Sequence, residues 1–448
     1  MNTMNVFSKH KATVIAVSIS LAILVGLALL IPSGTENAIT VEGIEASGSR
    51  FEFPTEPITL TYWRTIDGVE PFRDIIADYK KLHPNVTIKL TNLKAADYDK
   101  DLTEAAKSNK LPDIYAVKDD WLPRYDDYNA PAPSSVYTAN EFKDTFVDAA
   151  AKRLVQGDVV DGLAYGVSTL GLFYNQELLS RAGYKKPPTT WDELMTMSRK
   201  LTQRSGNDIS VAGIAMGNGL ATSYTGIVSV LMQQNGASMT NTPPTQAIFN
   251  KPDAKDYPSA AKALNYYTSF AREKSSNYSW NTKLGSSLDA FKAGKAAMMI
   301  DYAYRAPEID QANPSLSYKM AALPQVDSNK PINQAEFWVE QVNKNSKHTE
   351  VAWDFLRFAS TRTQLNRYSI ATYRPAARKD LIELQAQDKY IGPFAKQLTS
   401  ARTWYKGNSY NVDGIFADMI NVVLAGGDVQ PAVDTAATRT TQEIVTSK

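Results

Sequence analysis

Two clusters of polar and aromatic residues stand directly behind predicted strands: Trp63, Arg64 and Asp67 behind one, and Asp119, Asp120 and Trp121 behind another. In open α/β sheets the carboxyl ends of strands are where ligands bind. Asn218 and Tyr224 follow the glycine-punctuated stretch from Gly213 to Gly219, and Tyr302, Tyr304 and Arg305 follow an apolar run that ends at Ile300. Carboxylates and guanidinium groups bind hydroxyls, while indole and phenol rings offer flat apolar faces with polar rims, a combination suited to sugar rings. This is non-covalent recognition chemistry. The chain has no cysteine, which excludes disulfides, thiolate metal sites, cysteine nucleophiles and a lipoprotein anchor. Its three histidines, His10, His83 and His348, are scattered and form no HExxH-type pair, so no metal and no cofactor are expected. Each candidate has an ordinary alternative: core packing for the tryptophans and tyrosines, a solvated loop for the Asp pair, a plain turn for Asn218.

Those side chains need elements to hold them. Residues 58–63 alternate like a strand, and residues 70–81 place Phe72, Ile75, Ile76 and Tyr79 at helical spacing. His83-Pro84-Asn85 breaks that helix, 86–90 reads as a second strand, 97–108 as a helix and 113–117 as a third strand. Strand, helix, strand, helix, strand is the order of a parallel α/β sheet. The run 162–175 reads as a strand leaving one lobe for another, whereas 130–135 and 241–258 read as loops. Thr190 with Glu193 predicts a capping box on the helix that follows, and Gly294 a helix end before a buried strand. A length of 448 residues fits about two lobes rather than one core. The 43% hydrophobic and 21% charged fractions are those of a globular protein. With 48 basic against 47 acidic residues and no long basic stretch past the N-terminus, a nucleic-acid partner is disfavoured.

Lys9, His10 and Lys11 precede an uncharged, mostly apolar run over 12–31, a length that crosses a hydrocarbon core as a helix. We read 1–31 as a signal anchor with the rest of the chain at the outer face of the membrane; the alternative is secretion after signal cleavage. Residues 32–57 are small and polar and read as a flexible tether.

Several motifs, in order, resemble those of extracellular solute-binding protein family 1, the maltose-binding-protein-like subunits of ABC importers. They are Tyr79-Lys80-Lys81-Leu82-His83-Pro84-Asn85-Val86, Leu111-Pro112-Asp113-Ile114, Tyr165-Gly166-Val167 with Leu172-Phe173-Tyr174-Asn175, Pro188-Thr189-Thr190-Trp191-Asp192-Glu193-Leu194, the run from Phe291 to Met299, Asn345-Ser346-Lys347 leading into Ala352-Trp353-Asp354-Phe355-Leu356, and Arg374-Pro375-Ala376. The chain departs from the family in lacking a lipobox cysteine, and in having Asp301-Tyr302-Ala303-Tyr304 where many relatives have a Gly and a Trp.

The resemblance implies an α/β, two-lobed periplasmic-binding-protein-like fold of type II, with a ligand cleft between lobes joined by hinge strands. On that reading lobe 1 is 58–164 plus 341–370 and lobe 2 is 165–340 plus 371–448, with a second hinge crossing near 345–356. It also implies that Tyr302 and Tyr304 lie against a ligand, and it brings in Glu336 and Trp338 just before that crossing and Arg374 in the R-P-A turn; Trp404 is a further candidate outside these motifs. Arg374 has a surface ion pair as its alternative, and Trp404 helix packing. The expected function is capture of a carbohydrate by hinge closure and delivery to ABC permease subunits, with no covalent step. Two rivals stand beside it: a membrane-anchored glycoside hydrolase, with Asp119 and Glu336 as its carboxylates, and a surface adhesin of the same fold. Arg64, Arg305 and Arg374 leave an anionic sugar open as the ligand.

Overall fold

The computed structural model describes residues 40–41, 44–253 and 256–447. The apolar run read as a membrane anchor lies outside them, and among the described residues no helix is long and apolar enough to cross a membrane. The chain from Val41 onward is one compact unit.

The N-terminal half of that unit follows the sequence pattern. In β1 (Ile58–Arg64), Ile58, Leu60 and Tyr62 turn inward while Thr59 and Thr61 face water, the period-two alternation of a half-buried strand. Helix α1 (Arg73–Leu82) buries Ile75 and Tyr79 and stops at His83, where the chain turns into β2 (Val86–Asn92). Helix α2 (Ala95–Lys107) leads to β3 (Ile114–Lys118), an interior strand of its sheet that is buried almost throughout. Strand β1 runs parallel to both β2 and β3.

The second sheet is built on β4 (Ser168–Asn175). Helix α3 (Trp191–Leu201) starts in the expected capping box: Thr190 Oγ1 accepts from Glu193 N at 3.2 Å, and the Glu193 carboxylate accepts from Thr190 N at 3.3 Å. Helix α4 (Tyr224–Gln234) packs beneath the sheet. Strands β5 (Met298–Tyr302) and β6 (Tyr318–Ala322) both pair antiparallel with β4, and β7 (Asn333–Glu336) pairs with the start of β4, setting Ala335 opposite Thr169.

Strand β7 passes through Phe337 straight into β8 (Trp338–Val342), which joins the first sheet antiparallel to β3 with Trp338 opposite Lys118. The return crossing is therefore 333–342, not the expected 345–356. Residues 349–359 instead form helix α5 (Thr349–Ala359), whose Val351, Trp353, Phe355 and Phe358 sit in the first core. The outward crossing is 162–167, where Leu163 bridges Glu340 and Gly166 bridges Ala376. Helix α6 (Arg362–Thr372) follows α5. The chain then reaches β9 (Ala401–Arg402), parallel to β7, and closes with helices α7 (Ser409–Leu424) and α8 (Val429–Thr446).

The apolar residues form one cluster over the first sheet, drawn from 44–167 and from 335–401, and two over the second, drawn from 170–444. Ala376, Ala377 and Leu381 belong to the first cluster, although the expected division at 371 would place them in lobe 2. From Ile44 on, the segment expected to be a tether is docked on the first lobe. Ile44 is buried, Phe53 stacks on His83 at 3.8 Å, and Arg357 Nε donates to Ser47 O at 2.6 Å.

Candidate functional site

Where the two crossings pass side by side, the ends of strands from both sheets face one cleft. The first lobe contributes Lys118, Asp119 and Asp120 at the end of β3; the second contributes Thr222 to Gly226 at the start of α4, and Tyr302, Tyr304 and Arg305 after β5. Gln334, Glu336, Phe337 and Trp338 line it from the crossing itself, Arg374 from the turn after α6, and Lys406, Ser409 and Asp413 from the start of α7. Of the residues singled out in the sequence, Asp119, Asp120, Tyr224, Tyr302, Tyr304, Arg305, Glu336, Trp338 and Arg374 meet here.

Local packing explains how the tyrosines are held. Rings 302 and 304 stack with centroids 5.4 Å apart and planes 12° apart, and Tyr304 Oη donates to Glu336 Oε1 at 3.1 Å. A Cβ on Gly226 would come within 3.2 Å of the Tyr302 hydroxyl, so the bare glycine permits that ring to lie against α4. The buried Asp301 carboxylate accepts from Ser223 Oγ at 2.8 Å and from Thr222 Oγ1, tying the start of α4 to the end of β5.

The charges in the cleft balance: Lys118, Arg305, Arg374 and Lys406 face Asp119, Asp120, Glu336 and Asp413. Burial, reinforced by the neighbouring Asp120 charge, pushes the Asp119 carboxyl up to about 6. Burial also raises the Asp413 carboxyl. Around Lys118 burial works against the charge, but Asp120 and Glu336 outweigh it and hold the ammonium above the ordinary lysine range. Asp120 is almost fully buried, and neither of its oxygens has a hydrogen-bond partner among the described residues. Buried polar groups are nearly always hydrogen-bonded, so the Asp120 carboxylate, like the Arg305 Nε in the same cleft, has hydrogen-bonding capacity that no described residue fills.

The two cleft arginines differ in how far they are engaged, and the Arg305 Nε is buried without a hydrogen-bond partner among the described residues. Arg374 Nε donates to Asp67 at 2.9 Å and Nη1 to Ser168 Oγ at 3.1 Å, while Arg305 lies 3.8 Å from Asp301 and 3.6 Å from Glu308. Contacts between the lobes close the cleft's rim. Thr403 Oγ1 donates to Asp119 Oδ2 at 2.6 Å, Lys118 Nζ to Ser409 Oγ at 3.2 Å, and the rings of Trp121 and Tyr410 meet edge to face at 5.8 Å. The free space within is about 150 Å³, below the roughly 300–1,000 Å³ of small-molecule pockets.

Six expected site residues lie elsewhere. Arg64 is buried in the first core, where it pairs with Glu340 at 2.9 Å and donates to the hydroxyls of Tyr62 and Tyr368; it holds the hinge region together. Asp67 is taken by Arg374 and by the Tyr368 hydroxyl at 2.6 Å. Trp63 packs on the first core, and Trp121 is buried beneath Trp338 at 5.6 Å. Asn218 accepts from Trp280 Nε1 at 2.9 Å inside the second lobe, and Trp404 packs there against Phe249 and Phe416. The tryptophans thus pack against the two cores, and Asn218 also accepts from Leu220 N at 3.0 Å, the local turn that was its ordinary alternative. Ser223 and Phe337, which stand beside Tyr224 and Glu336 in the sequence, also line the cleft, whereas the residues that sequence reasoning missed, Lys118, Thr222, Thr225, Gln334, Lys406, Ser409 and Asp413, are mostly polar loop or helix-start positions with no pattern of their own.

Comparison with known proteins is consistent with this geometry. A family model described as bacterial extracellular solute-binding protein matches residues 63–364. A protein of Deinococcus radiodurans named a probable ABC transporter-binding protein is 25% identical over 244 residues, which are 51% of this chain and 55% of that one. Among solved structures, the cyclic α-maltosyl-1,6-maltose binding protein of Arthrobacter globiformis superposes with a TM-score of 0.72 at 22% identity, covering 87% of this chain and 100% of the other. The sugar-binding protein MalE of Xanthomonas citri gives 0.73 at 19% identity, covering 87% and 98%. At these identities the likeness is one of fold.

Proposed function

This chain belongs to the bacterial extracellular solute-binding proteins, and from that premise we propose that it captures a neutral carbohydrate in the cleft between its lobes and presents it to the permease of an ABC importer. The observation that carries the reading is the cleft's composition. A stacked tyrosine pair and an orphan buried carboxylate, Asp120, stand among four cations and four carboxylates with no excess of either sign. A ligand that offers hydroxyl donors and a flat apolar face satisfies these groups, whereas an anion would find Arg374 already paired with Asp67 and would be repelled by the cleft's carboxylates. The sugar-binding proteins whose fold it shares, and the transporter-associated relative, support the same assignment.

Capture proceeds by closure. The crossings 162–167 and 333–342 are the hinges, and the contacts of Thr403 with Asp119 and of Lys118 with Ser409 form as the rim shuts. Glu336 accepts from Tyr304 and orients the ring platform, so its role is recognition and no chemical step is required of it. The N-terminal apolar run would hold the protein at the outer face of the membrane, close to the permease.

The test is thermal unfolding across neutral mono- and oligosaccharides, sugar phosphates, polyamines and amino acids. A ligand that binds only the folded state raises the midpoint by mass action. A rise with neutral sugars supports the reading; a rise confined to anions, or none at all, removes it. Incubation with a panel of glycosides should leave them intact.

A further inference from the structure

The residue that joins the cleft's ring platform to the opposite lobe is Arg374. It sits on a turn fixed to the outward crossing: Val167 N donates to Pro375 O at 2.9 Å and Ala377 N to Tyr165 O at 2.9 Å. Its Nε is held by Asp67 at 2.9 Å, its Nη1 by Ser168 Oγ at the first residue of β4 at 3.1 Å, and its Cζ stands 4.1 Å from the centroid of the Tyr304 ring. The anchoring end is firm. Both side chains of the pair are largely buried, at 14% and 7% exposure, and the second Asp67 oxygen accepts from Tyr368 Oη at 2.6 Å. The backbone is committed as well, because Asp67 (φ 63°) and Tyr373 (φ 55°) both occupy the left-handed region. Such conformations persist where surrounding structure over-determines them, often at switches and ligand clamps.

We infer that Arg374 is a closure clasp: a positioning residue, anchored in the first lobe by Asp67, that grips the ring of Tyr304 across the hinge and so couples whatever contacts the Tyr302–Tyr304 pair to the closed arrangement of the lobes. The inference rests on the reading of the cleft as the ligand site. Separating the lobes moves Tyr304 away from Asp67, and a guanidinium held at Nε by a buried carboxylate cannot follow both. Opening therefore breaks the cation–ring contact, and closing remakes it. Contacts of this type shift an equilibrium by about 2- to 30-fold. A ligand that orders the Tyr302–Tyr304 pair strengthens the grip, which is how binding biases closure.

The absence of cysteine permits clean labelling of the full chain at two exposed positions, Lys107→Cys on the first lobe and Glu177→Cys on the second, with energy transfer reporting lobe separation. Without sugar, Arg374→Gln is expected to lower the closed-to-open ratio by about 2- to 30-fold, and Asp67→Asn to do the same. The double variant should go no further than either single one, and Arg374→Lys should recover part of the loss. Tyr304→Leu, which leaves the Asp67–Arg374 pair intact, should reproduce the shift. With a sugar bound, dissociation should quicken by a similar factor while association changes less than about twofold. Unchanged energy transfer in Arg374→Gln and Tyr304→Leu overturns the clasp whatever the sugar does. A shift in both, with no sugar binding to any variant, supports the clasp and removes the carbohydrate reading.

Discussion

Replacing Asp120 by alanine should separate binding from folding. Its carboxylate lies on the cleft wall, almost fully buried, with no hydrogen-bond partner for either oxygen among the described residues, and it repels the charge of Asp119 and attracts that of Lys118. A hydrogen bond to a charged group contributes about 1.5–3 kcal/mol, and each 1.4 kcal/mol is about tenfold in affinity. One sugar hydroxyl lost from Asp120 therefore weakens binding by about 10- to 100-fold, and two by more. Stability should move the other way or not at all. The variant removes an unpartnered buried charge and relieves Asp119, while Lys118 keeps Glu336 and Asp413 nearby, so the ligand-free protein should unfold at the wild-type denaturant midpoint or above it. Calorimetric titration with a neutral oligosaccharide, beside urea unfolding of both proteins, measures the two effects. Affinity within threefold of wild type, or a loss of several kcal/mol in stability, would show that Asp120 is a structural residue and the reasoning from its orphan oxygens is wrong.

Asp119 predicts a pH dependence. The folded protein keeps its proton up to about pH 6, whereas an unfolded Asp loses it near 3.9. Its contribution to stability is therefore present below about pH 4 and lost as pH rises through 6. The melting temperature of Asp119→Asn minus that of wild type should climb between pH 4 and 6.5 and then level; a flat difference refutes the assignment. Glu340→Gln removes the nearer of the two carboxylates beside the buried Arg64, leaving Asp67 at 3.6 Å, and should lower stability by less than the about 3–5 kcal/mol of a buried charge left wholly unpaired, read by urea unfolding, while the folded fraction binds ligand within a few-fold of wild type. Tyr304→Phe keeps the ring face but loses the bond to Glu336 and should bind within about tenfold of wild type, whereas Tyr304→Ala also removes the stacking surface and should bind more weakly than Tyr304→Phe. Titration of both with one sugar settles their order.

The parts of the fold written in periodic apolar patterns were legible in the sequence. Strands β1 to β3 and helices α1 and α2 announce themselves through alternation and helical spacing, and the Thr190–Glu193 capping box through local chemistry. The return crossing was not legible, because β7 is Asn333-Gln334-Ala335-Glu336, a polar string that reads as loop. It forms a buried strand only because distant groups satisfy it: Asn333 Nδ2 donates to Leu170 O at 2.8 Å and to Gln397 Oε1 at 2.7 Å. The same limit governs the site. Position after a strand end located Asp119, Asp120, Tyr302 and Tyr304, but it could not tell a side chain entering the cleft from one turning under it, as Trp121 and Asn218 do. Lys406, Ser409 and Asp413 come from the C-terminal region, whose place beside the cleft is decided by tertiary packing alone.

Calorimetric titration of one neutral gluco-oligosaccharide series and its phosphorylated counterparts, at matched salt, tests the central claim most directly. A neutral sugar should bind saturably at one site per chain, and the added phosphate should weaken that binding. Binding of the phosphorylated sugars alone, or heat from neither series, would contradict it.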